Sequence, residues 1–210
     1  MNNNEIKIYH VLGDENYSCW IPNRKIVYDI DEADVVLFEG GEDVDPSLYK
    51  TPKPKNPTTY SNKNRDLREI PIYQMALNKG KFILGICRGS QLICSQQDGG
   101  MLVQNQPNPL SMHMMNTFDN KEILVSSSHH QAMYPFNMDK EDYQILGWTD
   151  NVLKYHEGGE REELNPEKEC EIVYFPKTRS LGIQSHPEWM MSEKESTEWM
   201  QQLFLNIYNS

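Results

Sequence analysis

The segment Gly85-Ile86-Cys87-Arg88-Gly89 constrains this chain more than any other. It follows the apolar run Phe82-Ile83-Leu84, and Ser90 to Gln97 then reads as a helix stopped by Gly99-Gly100. A short apolar run that turns straight into a helix is a strand–turn–helix unit. G-x-C-x-G at the junction is the pattern of a nucleophile elbow. The turn is so sharp that a Cβ two residues before or after the cysteine would crowd it. Such a cysteine lies at the carboxyl edge of a sheet over a helix N-terminus, which favours the thiolate. The N–H after it, that of Arg88, points toward a developing oxyanion. The competing reading is a buried structural cysteine beside a turn, and the glycine pair speaks against it. Cys94, on the same face further along the helix, reads as a packing thiol.

The rest of the chain supports an α/β fold. Ile6 to Leu12 and Asp34 to Glu39 read as strands, the second bounded by Gly40-Gly41. Further strand candidates are Ile123 to Ser126, Tyr143 to Gly147, Val152 to Tyr155, Glu171 to Phe175 and Leu181 to Gln184. Residues 14 to 32 carry no clear period, and 50 to 64, with Pro52, Pro54 and Pro57, read as an exposed loop. Leu67, Ile70, Gln74 and Leu77 suggest the inward face of a helix that stops at Asn78-Lys79-Gly80. Pro71 must lie in its first turn or kink it. Ser192 to Glu195 has the form of a capping box. Trp199, Met200, Leu203, Phe204 and Ile207 then form an apolar stripe at helical spacing, which is core packing. Strands alternating with helices predict a mostly parallel sheet. No linker divides the chain, so residues 1–210 are expected to form one domain.

The formal net charge of −11 repels phosphate backbones, so nucleic acid is not an expected partner. No apolar run approaches the roughly 20 residues of a membrane span, and Met1 to Glu5 do not begin a secretory signal. The expectation is a cytoplasmic protein without a membrane partner. Cys19, Cys87, Cys94 and Cys170 form no C-x-x-C pair.

Three further segments bear on chemistry. In Ser185-His186-Pro187-Glu188, the residue before proline is extended, and residues i and i+2 of an extended chain share a side. Glu188 can therefore orient His186, and His186 can take the proton of Cys87; the plainer reading is a strand-end histidine beside a surface carboxylate. Gly40-Gly41, after a buried strand, lets backbone N–H groups face a ligand, or is only a tight turn. Ser126 to Gln131 holds the adjacent histidines His129 and His130. Neighbours on an extended chain point to opposite faces and no further ligand is nearby in sequence, so a polar substrate-binding loop is expected and no metal.

Together these segments resemble the class I glutamine amidotransferase superfamily, and within it the free-standing γ-glutamyl hydrolases, including γ-glutamyl-γ-aminobutyrate hydrolases. The resemblance rests on Gly40 to Pro46 with Tyr49; Arg65-Asp66 with Glu69; Leu84 to Leu92; Ser128 to Gln131; and Gly182 to Glu188. It implies a doubly wound, flavodoxin-like α/β domain with Cys87 as nucleophile, His186 as base and then acid, and Glu188 as orienter. It implies oxyanion N–H groups from Gly41 and Arg88, and substrate contacts from Gly40, Gln91, Ser128, His129, His130 and Gln131. The reaction it implies runs through a γ-glutamyl thioester, releases glutamate and needs no cofactor. One alternative is a glutaminase subunit that passes ammonia to a separate synthase; another is a non-catalytic metabolite- or protein-binding module on the same fold. The chain departs from the hydrolases in its short connection after the first strand and in Ser185, where they carry tryptophan.

Overall fold

A computed structural model describes residues 5–49, 61–103, 111–150, 154–157, 160–163 and 168–210. The chain runs through β1 (Ile6–His10), β2 (Arg24–Val27), β3 (Val35–Phe38), α1 (Lys63–Asn78), β4 (Phe82–Ile86) and α2 (Arg88–Ser95). It continues through β5 (Met101–Val103), β6 (Ser111–Thr117), β7 (Glu122–Ser127), β8 (Ala132–Tyr134) and β9 (Gln144–Thr149). It closes with β10 (Lys154–Glu157), β11 (Glu160–Glu163), β12 (Glu169–Phe175), β13 (Ser180–Ile183) and α3 (Lys194–Tyr208).

The main sheet runs β2-β1-β3-β4-β13-β12-β9-β6-β7. The pairings from β2 to β13 are parallel, and those from β13 through β12 and β9 to β6 and β7 are antiparallel. β8 pairs with β12 and β5, and β10 with β11 forms a separate hairpin. The sheet is thus mixed, and its parallel half has the flavodoxin-like order expected of an α/β domain.

Alternate residues of the parallel strands feed two cores, as the strand period requires. Ile8, Val35, Leu37, Leu84 and Ile86 pack with Trp199, Met200, Leu203 and Phe204 of α3. Val36, Phe38 and Ile83 pack with Tyr73 and Ala76 of α1 and Leu92 and Ile93 of α2. The short connection after β1 holds one 3₁₀ turn, Glu15–Ser18; Trp20 fills the adjacent space edge-on to Phe204 at 5.8 Å.

Several sequence expectations need correction. The inward face of α1 is Arg65, Asp66, Glu69, Tyr73 and Ala76, while Leu67 is 56% exposed and Gln74 faces solvent. The first half of α1 covers the polar carboxyl end of the sheet, so its buried side chains are charged and an apolar-periodicity reading picks the wrong stripe. Pro71 lies inside α1, past its first turn. α3 begins at Lys194 with Glu193 as N-cap and no side-chain cap hydrogen bond, so the capping box does not form. The apolar stripe of α3 is buried as expected, Ile207 only partly. β6 has no counterpart among the expected strands, because it exposes Met112 and Met114 and buries Met115 and Thr117. Residues 50–60 of the expected loop and 152–153 of an expected strand lie outside the described residues.

Candidate active site

Three neighbouring parallel strands end at one level. The register pairs Phe38 with Gly85, and Gly85 with Gly182, so Gly40, Cys87 and Gln184 lie side by side at the carboxyl edge. Ligand sites of open α/β sheets form at this edge.

Cys87 occupies the elbow between β4 and α2 with φ 50° and ψ −111°, a region that L-residues rarely enter. The surrounding structure holds it there. Its N–H donates to Ile183 O at 2.7 Å, and its carbonyl accepts from Ser90 N and Gln91 N at 3.0 and 3.2 Å, opening the helix. A Cβ on Gly85 would lie 2.6 Å from the Gly89 backbone, and one on Gly89 would enter the Phe38 carbonyl. The glycine pair is therefore a packing requirement, as the sequence pattern suggested.

His186 follows β13. Its N–H donates to Ser126 Oγ of β7 at 2.8 Å, which fixes the backbone. Its Nδ1 is 2.6 Å from Glu188 Oε1. The pairing arises in a 3₁₀ turn, Pro187–Trp189, and not in a continuous extended strand. With Nδ1 occupied, Nε2 is left for the hydrogen bond with Cys87. Burial alone pulls the imidazole down, but hydrogen bonds from Cys87 and Glu188 and their charges prevail and raise its pKa to about 9. The charged ring is thus favoured at neutral pH.

Two aromatic residues frame the imidazole, and neither stood out in the sequence. Trp189 stacks on it at 3.8 Å with planes 5° apart. An indole face favours a cationic ring over a neutral one. Tyr17, from the short turn after β1, lies with its ring centroid 6.0 Å from that of His186. Burial first, then the charges of Glu188 and Cys87, push its hydroxyl up to about 12. A Cβ on Gly40 would come within 2.9 Å of Tyr17 Oη and 3.0 Å of His186 Cε1, so only glycine leaves the imidazole in place. Tyr17 lies in the stretch without periodicity, and nothing in its sequence neighbourhood marks it.

Behind the elbow lies a buried ionic network. Arg88 pairs with Asp66 and Glu69. Arg65 meets Glu69 at 2.6 Å, Glu42 at 3.0 Å and Glu39 O at 3.0 Å. Asp45 N donates to Asp66 Oδ2 at 3.0 Å. Burial raises Asp66 above its usual range even beside Arg88; burial, with Arg65 nearby, lowers Arg88 to about 10. One helix, α1, therefore holds both the Gly40-Gly41 loop and the first residue of α2. Gly41 sits at φ +135° against the Arg65 guanidinium.

The remaining sequence candidates occupy the wall beside Cys87. Gln184 Nε2 is 3.9 Å from Cys87 Sγ. Gln91 Nε2 donates to Gln131 O at 2.8 Å, and Gln91 Oε1 is buried with no hydrogen-bond partner among the described residues. Gln131 turns its amide to the glycine loop: Oε1 accepts from Val44 N at 3.0 Å, and Nε2 donates to Val44 O and Tyr49 Oη at 2.9 and 3.0 Å. His129 is buried among carboxylates, whereas Ser128 and His130 are half-buried. Cys94 is fully buried, and burial pushes its thiol up to about 12, as befits a packing thiol.

The sequence pattern of the peptidase C26 family matches residues 20–188, which span the elbow and the His186–Glu188 pair. The chain belongs to the peptidase C26 family. Membership makes it a cysteine-type hydrolase related to the glutamine amidotransferases. Among curated relatives, the glutamine amidotransferase-like protein YvdE of Lactococcus lactis is 31% identical over 171 residues, covering 69% of this chain and 70% of that one. Protein NtpR of Enterococcus hirae is 28% identical over 192 residues, covering 85% and 77%. Among solved structures, one described as a GMP synthase subunit from Thermoplasma acidophilum superposes with a TM-score of 0.56 at 15% identity over 99% of both chains. A glutamine amidotransferase from Thermotoga maritima superposes with a TM-score of 0.55 at 14% identity, over 98% of this chain and 90% of that one. These likenesses show that this peptidase C26 chain has the class I glutamine amidotransferase fold. No helix among the described residues is long and apolar enough to cross a membrane.

Proposed function

We propose that this chain hydrolyses a γ-glutamyl amide bond through a γ-glutamyl thioester on Cys87 and releases glutamate. The observation that carries the reading is the Cys87–His186–Glu188 constellation at the elbow, with the Glu188 carboxylate 2.6 Å from the imidazole. His186 takes the Cys87 proton, and the sulfur attacks the side-chain amide carbon. The oxyanion that forms accepts hydrogen bonds from Gly41 N–H and Arg88 N–H. His186 returns the proton to the leaving amine, and the C–N bond breaks. Water, deprotonated by His186, then attacks the thioester; glutamate leaves and the thiol is restored. Glu188 orients the ring and favours its charged form without itself taking the proton.

Support for the oxyanion pair comes from the ionic network, which ties both donors to α1. The free Gln91 Oε1 suits the amino group of a glutamyl substrate. Gly40, Ser128 and His130 would border the same pocket. His129 and Gln131 would contribute through the backbone, since their side chains are engaged elsewhere. The leaving amine is a small amine in this reading.

A second reading is a glutaminase subunit that delivers ammonia to a separate synthase. It draws on the full-length likeness to the solved structure described as a GMP synthase subunit. One experiment separates the two. Glutamate release is measured from glutamine and from a panel of γ-glutamyl amines, with Cys87→Ala as control. Turnover of a γ-glutamyl amine by the chain alone, lost in Cys87→Ala, supports stand-alone hydrolysis. Release from glutamine alone, or only a stoichiometric thioester, favours the synthase-coupled reading. Wild-type turnover by Cys87→Ala excludes both.

A further inference from the structure

Beside the active site, the antiparallel half of the sheet buries a second cluster that the reaction does not use. Glu169 and Glu171 lie two apart on β12 at a break in its register with β9, and both carboxylates reach the same point beside His129. Glu171 is fully buried and Glu169 nearly so. Among the described residues no Lys or Arg pairs with either; their ionic neighbours are two histidines. His113 Nε2 of β6 lies 2.9 Å from Glu171 Oε1, and His129 Nε2 lies 3.5 Å from Glu169 Oε1. One ligand atom each from His129, Glu169 and Glu171 falls within 4.8 Å of the others.

The hydrogen bonds determine which way His129 faces. Its Nδ1 is 2.9 Å from the Gln131 carbonyl, which can only accept, so Nδ1 carries the proton. In the neutral ring Nε2 is then a bare lone pair, turned toward two carboxylates that are acceptors as well. Nε2 has no hydrogen-bond partner, and neither has Glu171 Oε2. Two buried acceptors without a donor, His129 Nε2 and Glu171 Oε2, beside the Glu169 carboxylate form an arrangement that a cation satisfies.

We propose that His129 Nε2, Glu169 and Glu171 bind one divalent transition-metal ion, with His113 holding Glu171 from behind. A metal-ligating imidazole commonly donates its other N–H to a backbone carbonyl, as His129 does to Gln131. One nitrogen and two carboxylates suit Zn²⁺ or Mn²⁺, whereas an all-oxygen set would suit Mg²⁺ or Ca²⁺. Three protein ligands leave a coordination position for water. The ion braces the wall of the active site. The Gln131 carbonyl that holds His129 also accepts from Gln91, and the Glu171 carbonyl accepts from Gln184 N at 2.8 Å. The proposal is independent of the substrate assigned above.

The test uses the full chain carrying Cys87→Ala, so that the nucleophile cannot act as a rival ligand. The protein is stripped with a chelator, equilibrated with Zn²⁺ or Mn²⁺, gel-filtered and assayed for bound metal. One ion per chain is expected, with Tm raised by about 5–10 °C when free metal is about 100-fold above Kd. His129→Asn keeps a donor for Gln131 and deletes the Nε2 ligand; Glu171→Gln and Glu169→Gln keep side-chain shape. Each is expected to lower retained metal at least tenfold while the circular dichroism spectrum stays native. Full retention by variants that remain folded overturns the site. So does retention of no ion by the parent, or binding of Mg²⁺ or Ca²⁺ only. A parent that holds no metal and is stabilised by Glu169→Gln identifies a shared proton in place of the ion.

Discussion

Replacing Glu188 with glutamine keeps the shape of the side chain and removes its charge. In the folded protein the His186 imidazole rises from its ordinary 6.5 to about 9. At 1.36 kcal/mol per pKa unit, that is a preference for the charged ring of about 3 kcal/mol. Burial opposes the charged ring. Cys87 and then Glu188 favour it, and losing one hydrogen bond to a charged group, here at 2.6 Å, costs about 1.5 kcal/mol, or roughly one pKa unit. An NMR titration of the His186 Cε1 proton reads this directly, and Glu188→Gln is expected to lower the apparent pKa by about one unit. The same shift has a stability consequence. The folded pKa lies above the unfolded one, so the charged ring stabilises the fold fully below pH 6.5, and that contribution is lost as pH rises to about 9. The urea midpoint of the wild type should fall across that window, and that of Glu188→Gln across a narrower one. An unchanged or raised His186 titration in the variant would refute the role given to Glu188.

Three further outcomes are expected. Gly40→Ala places a Cβ 2.9 Å from Tyr17 Oη and 3.0 Å from His186 Cε1, a crowding that a shift of a few tenths of an ångström relieves, and should lower turnover by roughly 3–10-fold with Tm nearly unchanged; undiminished turnover would mean that the loop yields freely. Glu69→Gln leaves Arg65 and Arg88 short of a buried carboxylate and should destabilise the fold by about 3–5 kcal/mol in urea unfolding; a loss below about 1 kcal/mol would show the network to be solvated. His186→Ala should reduce glutamate release more than Glu188→Gln does, since one moves the proton and the other orients; the reverse order would mean that the roles are exchanged.

Much of the candidate site was legible because its determinants are local. The elbow needs glycine on both sides of Cys87, and that requirement is written within five consecutive residues, Gly85 to Gly89. The pairing of His186 with Glu188 spans one proline turn, so it too was readable, although the turn proved to be 3₁₀. The face of α1 was misread because its first half covers charged residues; the apolar period marks a core-facing stripe only where the neighbour is apolar. β6 escaped because an edge region of the antiparallel half exposes Met112 and Met114. Metal was not expected at His129-His130 because no partner stands nearby in sequence, yet β12 brings Glu169 and Glu171 to His129, and β6 brings His113 to Glu171.

The sequence by itself determined the α/β class and the elbow, and it singled out Cys87, His186 and Glu188 as the candidate nucleophile, base and orienter, because backbone sterics and turn geometry act over a few residues. Only the tertiary structure decided what surrounds them. Tyr17 against the imidazole, the Arg65–Glu69–Arg88 network behind the elbow, and the buried carboxylates facing His129 all depend on strand order and register. Those follow from how the whole chain buries its apolar surface, and no local pattern encodes them.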